Sequence, residues 1–480
     1  MLNSKVMKKY FYLLLALLLP LGIQAERKEV HIVSVNDMHA YLKAAPMLAD
    51  VVDSLRTLYP GLLVFSAGDN RTGDPLNDMY EIPAYPMVAL MNQIGFDATT
   101  LGNHEFDSNP QGLARLIGLS SFTYICANCH PDPSLRMHLV PSKVFDVGGV
   151  KVGVVGAVQL GSHGYPDSHP DNMKGLSFTP VNETVAQYEW LRQQCDVVIL
   201  LSHNGYENDV ETTALFPWID LIIGGHTHTQ LEGGEMHNGI LVTQNANGLK
   251  KVTHITLVVD GGKVVEKRAE NIDVRCRKGR NGTATELVRY FCNNPAFERV
   301  LTQVEEPFTS YEELGCMMAD AFVAETASDL GFVNFGGVRY DEHPAGPFTV
   351  SDVLRLDPFN NDAVVMELTG EEFRQMLVSC FENDEFKLPF VSGVQYEVKR
   401  DSADPHKLKK LTVKTLNGKK FDLKRKYWVV TNSYVASIVD SPRQDQGQSI
   451  NRHTADLMIG YLEKQPSINY SGVRRVFEVK

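Results

Sequence analysis

The sequence predicts a layered α/β domain in its first half and a smaller α+β domain in its second half. In residues 26–273, short apolar runs alternate with amphipathic stretches, which is the pattern of buried strands packed between helices. From residue 305 onward this alternation gives way to a mixture of strands and helices. Residues 283–304 have a helical apolar period and many charges, which predicts a connecting helix. We therefore predict domains over residues 26–282 and 305–480, joined by that helix.

The predicted strands of the first domain are short runs rich in Val, Ile and Leu. They are Val30–Val35, Leu62–Ala67, Ala98–Leu101, Val152–Val158, Val197–Leu201, Leu221–Ile223 and Ile240–Thr243. Amphipathic stretches at Pro46–Leu58 and Tyr85–Ile94 predict helices between them. Val252–Val259 and Val264–Arg268 flank a Gly-Gly pair, which predicts a β-hairpin at the end of the domain.

Composition excludes some classes of function. The chain has 480 residues, a hydrophobic fraction of 43% and a formal charge of −12, from 46 Lys and Arg against 58 Asp and Glu. These values are typical of a globular protein with more than one domain. Because cations dominate the affinity for nucleic acids, an acidic chain argues against a polynucleotide partner.

The first 25 residues predict a secretory signal. Lys5, Lys8 and Lys9 precede an apolar run over Tyr10–Ile23, and a small residue, Ala25, marks the predicted cleavage site. The alternative is an N-terminal membrane anchor, although the run is short for a membrane span. We expect a secreted, periplasmic protein with no stable membrane anchor.

The seven cysteines are too few and too scattered for a disulfide framework. Cys126 and Cys129, followed by His130, match the C-x-x-C-H pattern of covalent haem attachment. The match is short and solitary, and it follows a strand-like run. We therefore expect Cys126 and Cys129 to form a local disulfide or to be two inert thiols, rather than to attach haem.

Clusters of Asp, Asn and His follow five of the predicted strands. They are Asn36–His39, Asp69-Asn70, Asn103–Asp107, His203-Asn204 and His226–His228. Because ligands of α/β sheets gather outside the carboxyl ends of strands, we expect these clusters to meet at one edge. Imidazole and carboxylate suit Zn, Mn and similar ions, and at least seven candidate ligands suffice for two ions that share a carboxylate. On an extended segment, Asp37 and His39 would point the same way.

Other histidines lie outside this pattern. His31 and His254 fall within predicted strands and are expected to be structural. His163 and His169 fall in a loop rich in Gly, Pro and Asp, and are expected at the surface.

The series D-x-H, G-D, G-N-H-E, H and G-H-x-H resembles the calcineurin-like metallophosphoesterase superfamily. In the second half, Asn334–Arg339 resembles the N-x-G-G-[IV]-R motif of the 5′-nucleotidase C-terminal domain, and Asp357–Asn361 and Thr431–Ala436 resemble its later loops. The resemblance covers nearly all of the predicted mature chain. It implies a four-layer α/β/β/α metallophosphoesterase domain, followed by a smaller α+β 5′-nucleotidase C-terminal domain.

The resemblance also implies roles for individual residues. Two divalent cations (Zn, Mn or similar) would be held, the first by Asp37, His39, Asp69 and His228, and the second by Asp69, Asn103, His203 and His226. His104 would be the catalytic histidine, and Asp107 would orient it. The implied substrate-binding residues are Arg339 for the phosphate, Phe359 and Tyr434 as a sandwich around the base, and Asn334, Asn361 and Asp440 for hydrogen bonds to base or ribose.

The implied function is release of phosphate from nucleotides by a secreted dimetal phosphohydrolase, with 5′-nucleotidase activity as the leading hypothesis. Alternatives within the same chemistry are UDP-sugar hydrolysis and 2′,3′-cyclic nucleotide phosphodiesterase or 3′-nucleotidase activity. A catalytically silent nucleotide-binding protein is a distant alternative, because such a protein should have lost ligands. Residues 308–313 contain no Arg, so one phosphate-binding arm of the family is missing or supplied elsewhere.

Overall fold

The computed structural model describes residues 27–384 and 386–479. The predicted secretory signal, residues 1–25, lies outside the described residues. Among the residues that are described, no helix is both long enough and apolar enough to cross a membrane.

Two six-stranded sheets form the centre of the described part of the first domain. The first sheet has the order Lys263–Asp273, Lys251–Asp260, Lys28–Val35, Leu63–Ser66, Ala98–Thr99 and Thr123–Tyr124. The second has the order Glu235–His237, Ile240–Thr243, Leu221–Ile223, Val197–His203, Val150–Val158 and Ser142–Val147. The central strands of both sheets are parallel, so their carboxyl ends share an edge. The predicted terminal hairpin is confirmed as the antiparallel pair at one edge of the first sheet.

The two sheets pack face to face between layers of helices. Ile32 and Val152, from different sheets, belong to one buried cluster between the sheets. Val33, the neighbour of Ile32, points the other way into the helical layer, as the alternation of a strand requires. The helices are Ala45–Leu58, Pro75–Asp78, Tyr85–Ile94, Pro110–Leu119 and Gly282–Phe291 over the first sheet, and Val181–Val185, Leu191–Gln194 and Tyr206–Leu215 over the second. The predicted α/β/β/α arrangement is confirmed.

The prediction of one connecting helix over residues 283–304 is wrong. The helix ends at Phe291, and Pro295–Glu298 forms a short 3-10 turn. Val300–Val304 is a strand that pairs with Gly346–Thr349 in the second domain. Asn294 precedes Pro295, and a residue before proline avoids the helical region, so a helix cannot run through this position. The Asn294 side chain accepts a hydrogen bond from Ala296 N at the start of the short turn.

The second domain has the predicted α+β architecture. Its central sheet has the order Phe390–Ser392, Leu330–Val333, Lys426–Asn432, Asp362–Thr369 and Gln448–His453. Two smaller sheets contain Gly346–Thr349, Val300–Val304 and Ser467–Ile468, and Leu408–Thr415, Val394–Arg400 and Val476–Glu478. Its helices are Tyr311–Thr326, Val350–Leu356, Gly370–Asn383, Ser433–Ile438 and Thr454–Leu462. The first and third of these helices pack in different buried clusters, on opposite faces of the central sheet.

All seven cysteines are described, and all are free thiols. Cys126 and Cys129 are both buried. Burial raises the pKa of the Cys126 thiol to about 12, which disfavours the reactive thiolate. Cys126 and Cys129 therefore form no disulfide in the structure, and their burial agrees with the prediction of two inert thiols.

Candidate dimetal site

The candidate metal ligands lie on turns that follow the parallel strands. Asp37, His39, Asp69, His226 and His228 all have left-handed backbone conformations, with φ between 44° and 82°. Residues other than glycine seldom adopt this region, although Asp and His do so more than most, and such strain concentrates at functional sites. The expectation that Asp37 and His39 lie on an extended segment is therefore wrong. Both residues lie in left-handed turns, which set the directions of their side chains.

Hydrogen bonds between neighbouring turns hold this strained backbone. Asp37 N donates to Gly68 O and His39 N donates to Asp69 O, both at 3.0 Å, which continues the pairing of the two strands beyond their ends. The buried carboxylate of Glu105 accepts hydrogen bonds from Asp69 N at 2.9 Å and from Gly102 N at 2.6 Å. Glu105 thus binds two of the site's turns together.

Asp37, His39 and His228 form the first group of candidate ligands. The Nε2 atoms of the two histidines are 3.0 Å apart. Asp37 Oδ1 lies 3.4 Å from His228 Nε2 and 4.0 Å from His39 Nε2. Ligands bound tetrahedrally at 2.0–2.2 Å from one ion are about 3.4 Å apart, so these separations fit a shared cation.

Asp69, Asn103, His203 and His226 form the second group. His203 Nε2 lies 3.2 Å from both Asp69 Oδ2 and Asn103 Oδ1. His226 Nδ1 lies 3.0 Å from the same Asn103 oxygen. His203 Nε2 also lies 4.0 Å from Asp37 Oδ1, which places the two groups side by side.

Hydrogen bonds outside the two groups orient the candidate ligands. His39 Nδ1 lies 3.0 Å from Thr72 O, and His203 Nδ1 lies 2.6 Å from Ala67 O. A carbonyl oxygen fixes the proton on Nδ1, so Nε2 presents a lone pair to the centre of the site. His104 N donates to Asp69 Oδ1 at 2.8 Å, which leaves Asp69 Oδ2 directed at the candidate ligands. These donor sets fit two divalent cations.

The buried carboxylates of the site attract positive charge. Burial alone would raise the pKa of Asp37 and of Asp69, but the neighbouring imidazoles hold both values below the usual range. Burial would lower the pKa of His203, but Asp69 and Asp37 raise it to about 10. A proton or a bound cation must therefore compensate the two carboxylates.

His104 lies beside both groups, and together with His39 and Asp69 it forms a further cluster that could hold a metal ion. Its Nδ1 lies 2.6 Å from Asp107 Oδ2, and its Nε2 lies 4.0 Å from Asp69 Oδ2. Burial would lower the pKa of His104, but the carboxylates of Asp107 and Asp69 raise it overall. The arrangement leaves Nε2 available to a substrate, with Asp107 orienting the ring.

One cavity joins this centre to the second domain. Asn334, Arg339, Phe359, Asn361 and Tyr434 line it together with Asp69, Asn103, His104, Asp107, His226 and His228. Asp440 is exposed and is not among the residues that line this cavity, so its contact with substrate stays a prediction. Tyr434 lies near the start of the short helix Ser433–Ile438. Asp440 follows this helix, after the buried residues Ile438 and Val439.

Arg339 and Phe359 reach across from the second domain to two histidines of the first, Arg339 to His39 and Phe359 to His104. Arg339 Nη2 lies 3.3 Å from His39 Nε2, and its guanidinium lies 5.5 Å from the centre of the Phe359 ring. The Phe359 ring stacks on His104, with ring centres 5.8 Å apart. Both side chains therefore lie next to the place where a phosphoryl group would meet the cations.

Several lining residues escaped the sequence analysis. They are Asp167, Ser168, Asn172, Asn247, Tyr311, Phe335, Asn383, Asp384 and Lys387. His169, which was expected at the surface, also lines the cavity, as does Thr227 of the predicted cluster His226–His228. Phe335 lies inside the N-x-G-G-V-R motif and could have been found there. Lys387 supplies a cation 5.1 Å from the Phe335 ring centre, and no signal in the sequence pointed to it.

Comparisons with known proteins agree with this architecture. A family profile described as calcineurin-like phosphoesterase matches residues 30–230, and one described as 5′-nucleotidase, C-terminal domain, matches residues 294–441. The trifunctional nucleotide phosphoesterase protein YfkN of Bacillus subtilis is 25% identical over 467 residues, which are 85% of this chain and 32% of YfkN. This chain thus spans about a third of that relative.

A 5′-nucleotidase of Vibrio cholerae is 26% identical over 372 residues, which cover 65% of this chain and 66% of that protein. The crystal structure of a 5′-nucleotidase precursor from Thermus thermophilus has a TM-score of 0.81 at 23% identity, and the match covers 94% of this chain and all of that one. At that identity the similarity shows the fold. The two profiles show that the chain combines a calcineurin-like metallophosphoesterase domain with a 5′-nucleotidase C-terminal domain, which is the architecture of metal-dependent phosphoester hydrolases.

Proposed function

We propose that the protein releases phosphate from nucleotides, with 5′-mononucleotides as its preferred substrates. One observation carries this proposal: candidate ligands of both groups, the His104–Asp107 pair, and aromatic and cationic side chains of the second domain line one cavity. The ligands that line it are His228 of the first group and Asp69, Asn103 and His226 of the second. A nucleotide needs both ends of such a cavity, since its phosphate and its base have different chemistry.

The proposed ligands divide as the resemblance implies. Asp37, His39, Asp69 and His228 would hold the first cation, and Asp69, Asn103, His203 and His226 would hold the second, with Asp69 shared between them. Such a pair of divalent cations, Zn or Mn by ligand chemistry, lowers the pKa of a bound water and neutralises the oxygens around phosphorus. The remaining steps depend on side chains of the chain itself.

His104 serves as the proton donor to the leaving oxygen in this proposal. Its Nδ1 proton is held by Asp107 at 2.6 Å, so a proton on Nε2 faces the cavity. Burial lowers the pKa of His104, whereas the carboxylates of Asp107 and Asp69 raise it. The net result is a raised pKa, which favours the protonated ring. General acid catalysis of this kind typically contributes about 10²–10⁴-fold.

The second domain binds the rest of the substrate. Arg339 neutralises a phosphoryl oxygen, and Phe359 and Tyr434 stack on the base. Asn334 and Asn361 are held by Asn432 and Ser433, each at 3.1 Å, and offer polar atoms to the base or ribose. YfkN, the trifunctional relative, makes other nucleotide phosphoesters worth testing beside 5′-mononucleotides.

A phosphate-release panel tests the proposal. Chelated protein, with Zn or Mn added back, is assayed on 5′-mononucleotides, nucleoside diphosphates, 2′,3′-cyclic nucleotides and UDP-glucose. We expect no release from chelated protein, restoration by metal, and the highest kcat/KM with 5′-mononucleotides. Faster hydrolysis of another class would replace the 5′-nucleotidase assignment, and no hydrolysis of any phosphoester would overturn the proposal.

We further infer that the protein is exported, from the Lys-rich start and apolar run of residues 1–25. N-terminal sequencing of protein from fractionated cells tests this inference. Mature protein that starts at Glu26 and lies outside the cytoplasm supports it, and protein that retains residues 1–25 contradicts it.

A further inference from the structure

The loop Gln159–His169 joins the site of the first domain to the second domain. It begins at the end of the strand Val150–Val158, where Gln159 N donates to His203 O at 2.9 Å. It ends with Asp167, Ser168 and His169, which line the cavity. The loop therefore runs from a candidate ligand to the wall of the site.

Ser168 contacts the carboxylate that orients the candidate catalytic histidine. Its hydroxyl donates to Asp107 Oδ1 at 3.1 Å, while the other carboxylate oxygen, Oδ2, lies 2.6 Å from His104 Nδ1. Ser168 is 4% exposed, so water does not readily replace it. The terminal torsion of an Asp side chain is soft, and a partner on each oxygen fixes the plane of the carboxylate.

Further hydrogen bonds hold Ser168 in place. The neighbouring Asp167 accepts from Gln159 Nε2 at 2.7 Å through its side chain and from Asn103 Nδ2 at 3.2 Å through its backbone oxygen. The loop is thus closed on itself and tied to a candidate ligand of the second cation.

The second domain holds the same loop from the other side. His163 Nε2 lies 3.3 Å from Ile438 O, and Ser162 Oγ donates to Asn383 Oδ1 at 3.3 Å. Asn383 also lines the cavity, and Ile438 ends the short helix that carries Tyr434. The alignment of Ser168 thus depends on contacts with both domains.

We propose that Ser168 is a positioning residue that fixes the Asp107 carboxylate and, through it, the imidazole of His104, and that its loop links this alignment to contact with the second domain. Only the expected effect on kinetics rests on the proposed function; the positioning of Asp107 and His104 does not. Ser168 acts through Asp107, so its loss should slow turnover rather than weaken substrate binding. Residues that orient a reacting group in this way typically contribute about 10-fold or more.

A double-mutant cycle on the metal-loaded full chain tests the kinetic consequence. With 5′-AMP, Ser168→Ala should lower kcat about 10-fold with KM unchanged. In an Asp107→Ala background the same substitution should have no further effect, because the carboxylate that Ser168 contacts is gone. Ser177→Ala is the matched control, since Ser177 is exposed and donates only to His130 O among the hydrogen bonds of its side chain in the described chain. A loss confined to KM, or an equal loss in both backgrounds, would overturn the proposal.

Proton NMR of the zinc-loaded protein gives a readout that needs no activity. The proton between His104 Nδ1 and Asp107 Oδ2, which lie 2.6 Å apart, should give a downfield resonance that disappears in Asp107→Ala. Ser168→Ala should shift or broaden it, and Ser177→Ala should not. An absent resonance, or one that is unchanged in Ser168→Ala, contradicts the positioning role. If the wild-type protein hydrolyses no phosphoester, the proposed function fails while this measurement still decides the role of Ser168.

Discussion

Replacement of Asp107 by Asn tests how the candidate catalytic histidine works. Asn has the shape of Asp, and its amide oxygen can still accept from His104 Nδ1, so the ring should keep its position. The change removes the charge 2.6 Å from the imidazole. A hydrogen bond to a charged group is worth about 1.5–3 kcal/mol and a neutral one about 0.5–1.5 kcal/mol, so we expect a loss of about 1–2 kcal/mol. Turnover should therefore fall about 5–30-fold.

The same substitution should change the pH profile. Asp107 raises the pKa of His104, against the effect of burial. A general acid works in its protonated form, so its activity is present below this pKa and is lost as pH rises through it. Removal of the Asp107 charge lowers the pKa, so the alkaline limb of kcat should move to lower pH.

Two substrates make the assay specific for proton donation. A nucleoside leaving group needs a proton more than nitrophenolate does, so Asp107→Asn should slow 5′-AMP more than p-nitrophenyl phosphate. Asp171→Asn is the matched control, because Asp171 is an exposed acid that pairs with Lys174 outside the site. Metal content should equal that of wild type. Equal losses on both substrates with an unmoved alkaline limb would refute proton donation by His104.

Two further predictions concern the base and the fold. Phe359→Ala should raise KM for 5′-AMP about 10-fold, as expected for the loss of one stacking face, and should affect p-nitrophenyl phosphate less; equal effects on both would mean that Phe359 acts through its contact with His104. Burial raises the pKa of Asp209 to about 7, so the folded state keeps a proton that the unfolded chain releases near pH 4, and stability falls as pH rises from about 4 to 7. Asp209→Asn removes this titration, so its free energy of unfolding relative to wild type, measured in urea, should be higher at pH 8 than at pH 5 by up to about 3 kcal/mol. An identical difference at both pH values would contradict the buried-acid explanation.

The sequence predicted the layered fold because strand periodicity is local. Runs such as Leu221–Ile223 and Ile240–Thr243 are strands with the predicted bounds. The failure at residues 283–304 came from reading one apolar period across Pro295, although the helix ends at Phe291 and Pro295 begins a short 3-10 turn. A proline inside a helical pattern is a boundary signal that outweighs the period.

The site was predictable in composition and less so in geometry. The ligand types and their positions after strands followed from the motifs, but the left-handed turns at Asp37 and His39 depend on hydrogen bonds to a neighbouring turn. Long-range partners were also invisible. Glu105 and Ser168 act through hydrogen bonds to residues that are distant in the sequence. The amino-acid sequence alone does not show which distant residues form such pairs.

Metal content of Asp69→Asn tests the shared dimetal centre most directly. Elemental analysis of dialysed protein should give about two divalent ions per chain for wild type. Asp69 is the candidate bridge, and its neutral replacement should leave about one ion or fewer and abolish phosphate release. Asp171→Asn should keep both ions, and circular dichroism should show both variants folded. Full double occupancy in folded Asp69→Asn would contradict a bridging carboxylate.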